Sequence, residues 1–298
     1  MTDPATPGSP SGTVAFIGLG HMGLPMAKRL MNAGRTVVGF DPSDAAREAF
    51  EKAGGSSAPN AAAAVEGADN AILMLPNSRI VESVAGEIRN ALGDGSIVID
   101  MSSSEPMSTK ALAESLKQRG VTLIDAPVSG GVIRALDGSL TIMVGANEKD
   151  FARVMPLLNA MGKPQRAGEV GAGHAAKAIN NLMSATHLLI SAEGVEAGKR
   201  FGLDPSLLID IINTSSGRSG STEMKYPKFI LPETYDSGFA LDLLLKDMRI
   251  AASLARSLGA PTALSDASIA SWTRAAEELP TGADHTEIAR WVRNNATE

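Results

Sequence analysis

A lysine in a short apolar stretch has the clearest potential for proton transfer in this sequence. Residues 171–181 read GAGHAAKAINN, so Lys177 and Asn181 are four positions apart and share one face of a helix. A helix that begins near Gly173 places Lys177 in or just after its first turn, where the helix dipole disfavours a permanent cation. Such a position suits a lysine that accepts and returns a proton. A lysine that extends its ammonium to solvent from an interdomain helix fits the same residues about equally well.

A serine followed by two glycines forms a candidate carboxylate site. Residues 125–131 read DAPVSGG and follow a predicted strand, and doubly wound folds bind their ligands at that end of their strands. The backbone N–H groups of Gly130 and Gly131 and the hydroxyl of Ser129 are suitable donors for a carboxylate. Taken alone, the same string is more often an ordinary turn.

A glycine-rich string near the start of the chain predicts a dinucleotide site. It follows the strand VAFI, opens a helix, and is followed by a second strand that ends at Asp41, 23 positions after the first glycine. Its residues are Gly18, Leu19, Gly20, His21, Met22 and Gly23. Asp41 suits the ribose hydroxyls and repels a 2′-phosphate, and no Arg or Lys occupies positions 42–46. The pattern therefore favours NAD over NADP.

A fourth motif, LKDM at residues 245–248, lies in a stretch with helical periodicity. Asp242 and Lys246 are spaced as a favourable surface ion pair on such a helix. On physical grounds alone, this surface interpretation is preferred for Lys246.

The elements that must position these residues change in character along the chain. From Val14 to about Ala146, short β-branched runs alternate with helical stretches, which predicts a parallel sheet covered on both faces. After about Gly173 the pattern is helical, over residues 174–201, 205–213, 239–258 and 263–278. We predict a disordered tail over residues 1–13, an α/β Rossmann-like doubly wound domain over 14–173, and an all-α domain over 174–298, joined by a long helix.

Composition excludes several functional classes. The 298 residues contain 27 Lys and Arg against 33 Asp and Glu, and the net charge of -6 does not predict a nucleic-acid partner. The absence of cysteine excludes disulfides, thiol catalysis and cysteine-based zinc sites. The four histidines lack the spacing of a metal site, so no metal is expected. No apolar run approaches the roughly 20 residues that span a bilayer, and we expect a cytoplasmic protein.

Together and in this order, the four motifs resemble the β-hydroxyacid dehydrogenase family, typified by 3-hydroxyisobutyrate dehydrogenase. The resemblance covers residues 14 to about 251. It implies NAD-dependent oxidation of a small hydroxy acid, or the reverse reduction, in a homodimer or homotetramer with a C-terminal domain like that of 6-phosphogluconate dehydrogenase. It also implies that Lys177 is the catalytic residue, that Asn181 orients the substrate, and that Ser129, Gly130 and Gly131 bind the substrate carboxylate.

The resemblance implies cofactor contacts beyond the glycine-rich string. Leu75 and Pro76 match positions near the adenosine, and Ser103 matches the position beside the nicotinamide ribose. Lys246 becomes a cofactor-site or substrate-site residue, which reverses the surface interpretation.

The substrate stays open at this level. Residues 214–227 lie where the family varies, and Arg218 and Ser219 there would either reach the substrate or line the entrance. Candidate substrates are 3-hydroxyisobutyrate, tartronate semialdehyde, L-threonate, 4-hydroxybutyrate and serine-like acids. Alternative functions are an imine reductase, a decarboxylating sugar-acid phosphate dehydrogenase and a non-catalytic NAD-binding module. The presence of Lys177 argues against the first and last of these, and the length of the helical domain argues against the second.

Overall fold

The computed structural model describes residues 12–295. The chain divides into two compact units, and the division falls inside one long helix, between Lys177 and Ala178. Of the predicted tail, only Gly12 and Thr13 are described, and Thr13 is the first residue of a strand; the rest of that prediction lies outside the described residues.

The first unit contains a sheet flanked by helices. The strands are β1 (Thr13–Ile17), β2 (Thr36–Phe40), β3 (Ser56–Ser57), β4 (Asn70–Leu73), β5 (Ile97–Asp100), β6 (Thr122–Asp125), β7 (Val128–Ser129), β8 (Leu140–Gly145) and β9 (Gly162–Gly168). The helices are α1 (Gly23–Asn32), α2 (Asp44–Lys52), α3 (Ala61–Val65), α4 (Ser78–Ile88), α5 (Pro106–Lys117), α6 (Gly131–Asp137) and α7 (Glu148–Leu158).

The strand order is β3-β2-β1-β4-β5-β6-β8-β7, with β9 paired to β8. The pairs among β1 to β6 are all parallel, so the carboxyl ends of these strands meet at one edge. The order changes direction between β1 and β4, which is where doubly wound folds bind ligands. The predicted Rossmann-like fold is confirmed.

One part of the sheet differs from the expected parallel arrangement. Strand β8 runs antiparallel to β6 and β7, and the two-residue strands β3 and β7 and the seven-residue β9 were not predicted. The chain between β6 and β8 contains β7 and the seven-residue α6. A parallel crossover must carry the chain back to the amino-terminal end of the preceding strand. This connection does not do so, and β8 therefore runs in the direction opposite to β6.

Both faces of the sheet are buried, which explains the continuous apolar strands. Along β1, Val14 and Phe16 belong to the core on one face and Ala15 and Ile17 to the core on the other. The first core includes the inner side of α1, and the second includes residues of α3 and α4. This packing places the loops after the strands on a rigid support.

The second unit is helical in its described part. It comprises α8 (Ala172–Phe201), of which residues 178–201 belong to this unit, α9 (Pro205–Asn213), a π-helical segment (Ser221–Ile230), α10 (Leu241–Ser257), α11 (Ala263–Glu278), a 3-10 turn (His285–Glu287) and α12 (Ile288–Asn295). Trp272, Tyr226, Leu244 and Met248 are buried in its core. Among the described residues, no helix is long and apolar enough to cross a membrane.

The four predicted helical stretches correspond to α8, α9, α10 and α11, but three elements were missed. The π-helical segment contains Pro227 and has a wider helical period than the 3.6 residues used to detect helices. The 3-10 turn and α12 have three and eight residues, too few for a clear periodic pattern.

Candidate active site

The glycine-rich loop after β1 is shaped by two close backbone approaches. Gly18 has φ of 98°, and a Cβ on it would lie 2.2 Å from the carbonyl oxygen of Met74. A Cβ on Gly23 would lie 1.8 Å from the carbonyl oxygen of Gly18. Larger residues at these two positions would separate α1 from the loop and the loop from the end of β4. Around Gly20, in contrast, a Cβ would meet open space, so a ligand can approach the backbone there.

The start of α1 fits the phosphates of a dinucleotide. Among the described residues, no side chain caps this helix, and its first turn contains no acidic residue. The positive end of the helix dipole is thus directed at the loop. Asp41, directly after β2, accepts hydrogen bonds from the N–H of Leu19 at 2.8 Å and of Ser43 at 2.9 Å. The carboxylate thereby holds the glycine-rich loop from the end of β2.

Arg47 is a cation beside Asp41, one position beyond residues 42–46, which contain no Arg or Lys. Its guanidinium donates to the carbonyl oxygen of Asp41 at 2.6 Å and lies over the ring of Phe40. It also forms an ion pair with Asp44. These contacts hold Arg47 against the backbone and a carboxylate of its own helix.

The loops after β4 and β5 continue the same edge of the sheet. Leu75 donates its N–H to Ser102 Oγ at 2.9 Å, which ties the two loops together. The carboxylate of Asp100, at the end of β5, accepts from the N–H of Ser102 and from the hydroxyl of Ser104. Pro76 and the half-buried Ser103 lie in these loops. The predicted cofactor residues after β1, β2, β4 and β5 are therefore gathered along one edge.

The SGG string lies at the end of β7. Gly130 and Gly131 both have positive φ, 131° and 68°, and α6 begins at Gly131. Gly130 and Gly131 are exposed and Ser129 is half-buried. The hydroxyl and the backbone at this turn are accordingly accessible to a small anion.

Asp125 fastens the start of α8 to the end of β6, and sequence reasoning gave it no role. Its carboxylate accepts from the N–H of Gly171 at 2.6 Å and from the N–H of His174 at 2.8 Å. These are the N–H groups that a helix start leaves without partners. Burial raises the pKa of Asp125, while the charge of His174 and the backbone donors oppose that effect.

His174 is a structural residue at the same point. Its Nε2 lies 3.1 Å from the carbonyl oxygen of Ser102 and its Nδ1 lies 2.8 Å from Thr109 Oγ1. Because a carbonyl oxygen only accepts, Nε2 carries a proton. The imidazole thus connects α8 to the loop after β5 and to α5, and the beginning of α8 is fixed at the edge that carries the cofactor residues.

Lys177 follows in the second turn of α8, with 9% of its surface exposed. Asn181 is one turn further and is buried. The Asn181 amide donates to Asp247 Oδ2 at 2.6 Å, so its orientation is set by a carboxylate of α10.

Asp247 is a second carboxylate, after Asp125, to which sequence reasoning assigned no role. It is 2% exposed, and it occupies the buried face of α10 beside Leu244 and Ala251. The signal was present, since a carboxylate at a core position of an amphipathic helix needs a partner. Lys246 lies with Nζ 3.2 Å from Asp247 Oδ1, beside the carboxylate that accepts from the Asn181 amide, and its role at the cofactor or substrate stays a prediction.

The variable segment around Arg218 borders a cavity of about 480 Å³. The cavity is lined by Asn213, Thr214, Ser215, Ser216 and Arg218. Arg218 is exposed and lies 3.6 Å from Glu223, and Ser219 donates its N–H to Thr222 Oγ1. Both residues are thus engaged within their own segment of the helical unit.

Comparison with known proteins agrees with this geometry. Residues 13–177 match the NAD-binding domain of 6-phosphogluconate dehydrogenase, and residues 171–292 match the family described as NAD-binding of NADP-dependent 3-hydroxyisobutyrate dehydrogenase. The chain belongs to the β-hydroxyacid dehydrogenase family. The predicted family is therefore confirmed.

Individual members of the β-hydroxyacid dehydrogenase family are similar over most of the chain. A 2-(hydroxymethyl)glutarate dehydrogenase from Eubacterium barkeri is 40% identical over 80% of this chain and 80% of its own. The mitochondrial 3-hydroxyisobutyrate dehydrogenase of Bos taurus is 40% identical over 84% of this chain and 78% of its own. The structure of Mycobacterium tuberculosis 3-hydroxyisobutyrate dehydrogenase with L-serine has a TM-score of 0.90 at 30% identity, covering 95% of this chain and 99% of that one. This chain is thus an NAD-dependent oxidoreductase that acts on the CH–OH group of small hydroxy acids.

Proposed function

We propose that this dehydrogenase oxidises a small 3-hydroxy acid to its semialdehyde, or reduces the semialdehyde, with Lys177 as general base or acid. The observation that carries the proposal is the position of Lys177. Asp125 and His174 hold the start of α8 at the edge of the sheet where the dinucleotide-binding loops end, and the buried Lys177 lies on the next turn. A proton-transfer group is thereby brought to the end of the sheet that binds the cofactor.

In the oxidation, the neutral amine of Lys177 accepts the proton of the substrate hydroxyl, and the C–O single bond becomes a carbonyl as the C–H bond breaks. NAD, when bound, supplies the acceptor for the hydride from that carbon. The residues Gly18, Leu19, Gly20, His21, Met22, Gly23, Asp41, Leu75, Pro76 and Ser103 would hold it. In the reduction, the ammonium of Lys177 returns the proton to the oxygen.

Three further groups position the substrate in this proposal. Ser129, Gly130 and Gly131 bind its carboxylate through a hydroxyl and backbone N–H groups. Asn181 contacts it beside Lys177, because the bond to Asp247 leaves the amide oxygen as an acceptor of fixed orientation. Lys246, held at Asp247, contributes positive charge near the bound cofactor or substrate. Orientation of this kind lowers the barrier by several kcal/mol in favourable cases.

The substrate class follows from what the similar enzymes share. The names 3-hydroxyisobutyrate and 2-(hydroxymethyl)glutarate both describe acids of the form HO–CH2–CH(R)–COO⁻, and L-serine has the same form. We place the substrate in this class. A panel for assay contains these three acids together with L-threonate, 4-hydroxybutyrate and tartronate semialdehyde, each tested with NAD and with NADP.

The decisive variant is Lys177→Met, with Lys199→Met as its matched control on an exposed position of the same helix. We expect Lys177→Met to bind NADH normally, measured by its fluorescence, and to lose about 10²- to 10⁴-fold in kcat, as for removal of a general acid or base. Lys199→Met should keep the wild-type kcat. A Lys177→Met enzyme with a kcat near that of the control would refute the assignment.

Homo-oligomerisation and a cytoplasmic location are also proposed. Ile179, Met183 and Ile190 on α8, and Leu207 and Ile211 on α9, are large apolar side chains exposed in the single chain. Such surfaces commonly mediate association. Light scattering after gel filtration should give the mass of a dimer or tetramer, and a monomer at micromolar concentration would contradict the proposal. Cell fractionation tests the location.

A further inference from the structure

Lys225 is a lysine of the helical unit that the proposed chemistry does not use. It lies in the middle of the π-helical segment, and its Nζ donates to Ser184 Oγ at 3.0 Å. Ser221 of the same segment also contacts α8, at the carbonyl oxygen of Ser184. Long π-helical stretches are rare and frequently occur at functional sites.

Ser184 connects Lys225 to the proposed catalytic face of α8. Residues advance by about 100° around an α-helix, so Lys177, Asn181 and Ser184, spaced by four and three, lie on one stripe. The stripe therefore begins with the proton-transfer lysine, continues with the amide held by Asp247, and reaches the hydroxyl that holds Lys225.

The charge of Lys225 is poorly compensated by its surroundings. Its hydrogen-bond partner, Ser184, is neutral, and burial lowers the pKa of Lys225 to about 8 although the charge of Asp284 raises it. The carboxylate of Asp284 already accepts hydrogen bonds from Ser237, Gly238, Phe239 and Thr286. Burial lowers the pKa of the neighbouring His285 to about 4, so at neutral pH it contributes no charge.

A desolvated ammonium of this kind gains most from an anion that binds next to it. The Lys225 side chain is also partly exposed, which leaves access for a ligand. We propose that Lys225 determines substrate specificity by binding a second carboxylate, so that the preferred substrates are 3-hydroxy acids whose C2 branch itself ends in a carboxylate. The inference rests on the proposed function, because it takes the substrate to lie along the stripe that begins at Lys177.

The test compares two substrates that differ by one carboxylate. In 3-hydroxyisobutyrate the C2 branch is a methyl group, and in 2-(hydroxymethyl)succinate it is a carboxymethyl group; 2-(hydroxymethyl)glutarate extends the branch by one methylene. The variants are Lys225→Met, which removes the charge at similar length, Lys225→Arg, which retains it, and Lys228→Met, the matched control at an exposed position of the same segment.

We expect the wild type to have a higher kcat/KM for the dicarboxylates. Lys225→Met should raise the KM of the dicarboxylates by about 10- to 100-fold with little change in kcat, which is the range for loss of a charged hydrogen bond, and should leave 3-hydroxyisobutyrate unaffected. Lys225→Arg should retain much of the preference for dicarboxylates over 3-hydroxyisobutyrate, and Lys228→Met should behave as wild type. Equal losses for both substrate types, or no loss for either, would overturn the inference.

Binding without turnover separates this inference from the proposed function. Glutarate and butyrate, which lack the hydroxyl, are titrated calorimetrically into the NAD-saturated enzyme. Tighter binding of glutarate that disappears in Lys225→Met supports the second carboxylate site even if none of the hydroxy acids is oxidised. Equal binding of the two acids, or glutarate binding that survives Lys225→Met, overturns it even if Lys177 proves to be the catalytic residue.

Discussion

The edge of the sheet and the stripe on α8 use different chemistry to prepare a site. At the edge, turns with positive φ at Gly18, Gly130 and Gly131 shape the backbone that the proposed ligands would approach. Along the stripe, the groups are side chains, and hydrogen bonds or ion pairs with other side chains orient Asn181, Asp247 and Lys225.

This difference indicates which part of the site can change its specificity by substitution. A backbone site depends on loop geometry, and many sequences with the right glycines can form it, so it suits a cofactor that a whole family shares. A site of side chains changes with one substitution, so it suits the part of the substrate that varies between relatives. The predictions below test this division, from the largest expected effect to the smallest.

Among the substitutions at Asp247, Asp125, Asp41 and His285, the largest effect is expected for Asp247→Ala. The variant removes the acceptor that orients the Asn181 amide, and misplacement by about 1 Å can cost on the order of 10² in rate. We expect kcat/KM to fall by about 10²-fold while NADH fluorescence still reports binding. Asp242→Ala, at an exposed position of the same helix, is the control. A near-normal kcat/KM in a folded Asp247→Ala enzyme would show that the edge of the sheet suffices for catalysis.

Asp125→Ala tests the connection between the edge and α8. Loss of the acceptor for the N–H groups of Gly171 and His174 should lower the free energy of unfolding by about 1–2 kcal/mol, as for other helix caps. It should also lower kcat by about tenfold through displacement of Lys177. Urea denaturation and hydrogen exchange at the start of α8 measure the effect, with the exposed Asp94→Ala as control. Unchanged exchange in that turn would contradict this role.

Asp41→Ala should change the preference between NAD and NADP and leave the preference among hydroxy-acid substrates unchanged. Without the carboxylate, repulsion of a 2′-phosphate disappears and one hydrogen bond to the glycine-rich loop is lost. We expect the ratio of kcat/KM for NAD to that for NADP to fall by about tenfold, which corresponds to a change of roughly 1.4 kcal/mol in free energy. Glu48→Ala, at an exposed position nearby, should retain the ratio. A shift in substrate preference instead would contradict the division between the two regions.

The smallest effect concerns acid stability of the helical unit. Burial lowers the pKa of His285 to about 4, so the unfolded chain binds a proton below about pH 6.5 that the folded chain does not. Stability is therefore lost as pH falls from about 6.5 toward 4, by on the order of 1–3 kcal/mol. Burial raises the pKa of Asp284, but hydrogen bonds from Thr286 and Ser237 outweigh burial and lower that pKa. The stability that the Asp284 carboxylate contributes is therefore lost at lower pH than the stability linked to His285.

Urea denaturation of His285→Gln against wild type, at several pH values between 4 and 7, isolates the histidine. The variant should show a shallower loss of stability in that range, and His187→Gln, at an exposed position of α8, should match wild type. Parallel pH profiles for His285→Gln and wild type would contradict the prediction.

Local patterns in the sequence determined the fold class, the start of the dinucleotide loop and the four long helices. The glycines at 18, 20 and 23 and the acid at 41 encode one strand-loop-helix unit with its neighbour, and these signals depend on residues close together in the chain. The spacing of Lys177 and Asn181 likewise placed both on one helix face, and this placement does not depend on the rest of the fold.

The tertiary structure alone decided which groups hold that face in place. Asp125 contacts α8 across 46 and 49 positions, Asp247 contacts Asn181 across 66, and Lys225 contacts Ser184 across 41. The pattern of α10 shows that Asp247 lies on the apolar face, but no local pattern shows which group it binds, because the partners are brought together only by packing. The local sequence thus encodes the elements and their active faces, and long-range burial selects the partners that orient them.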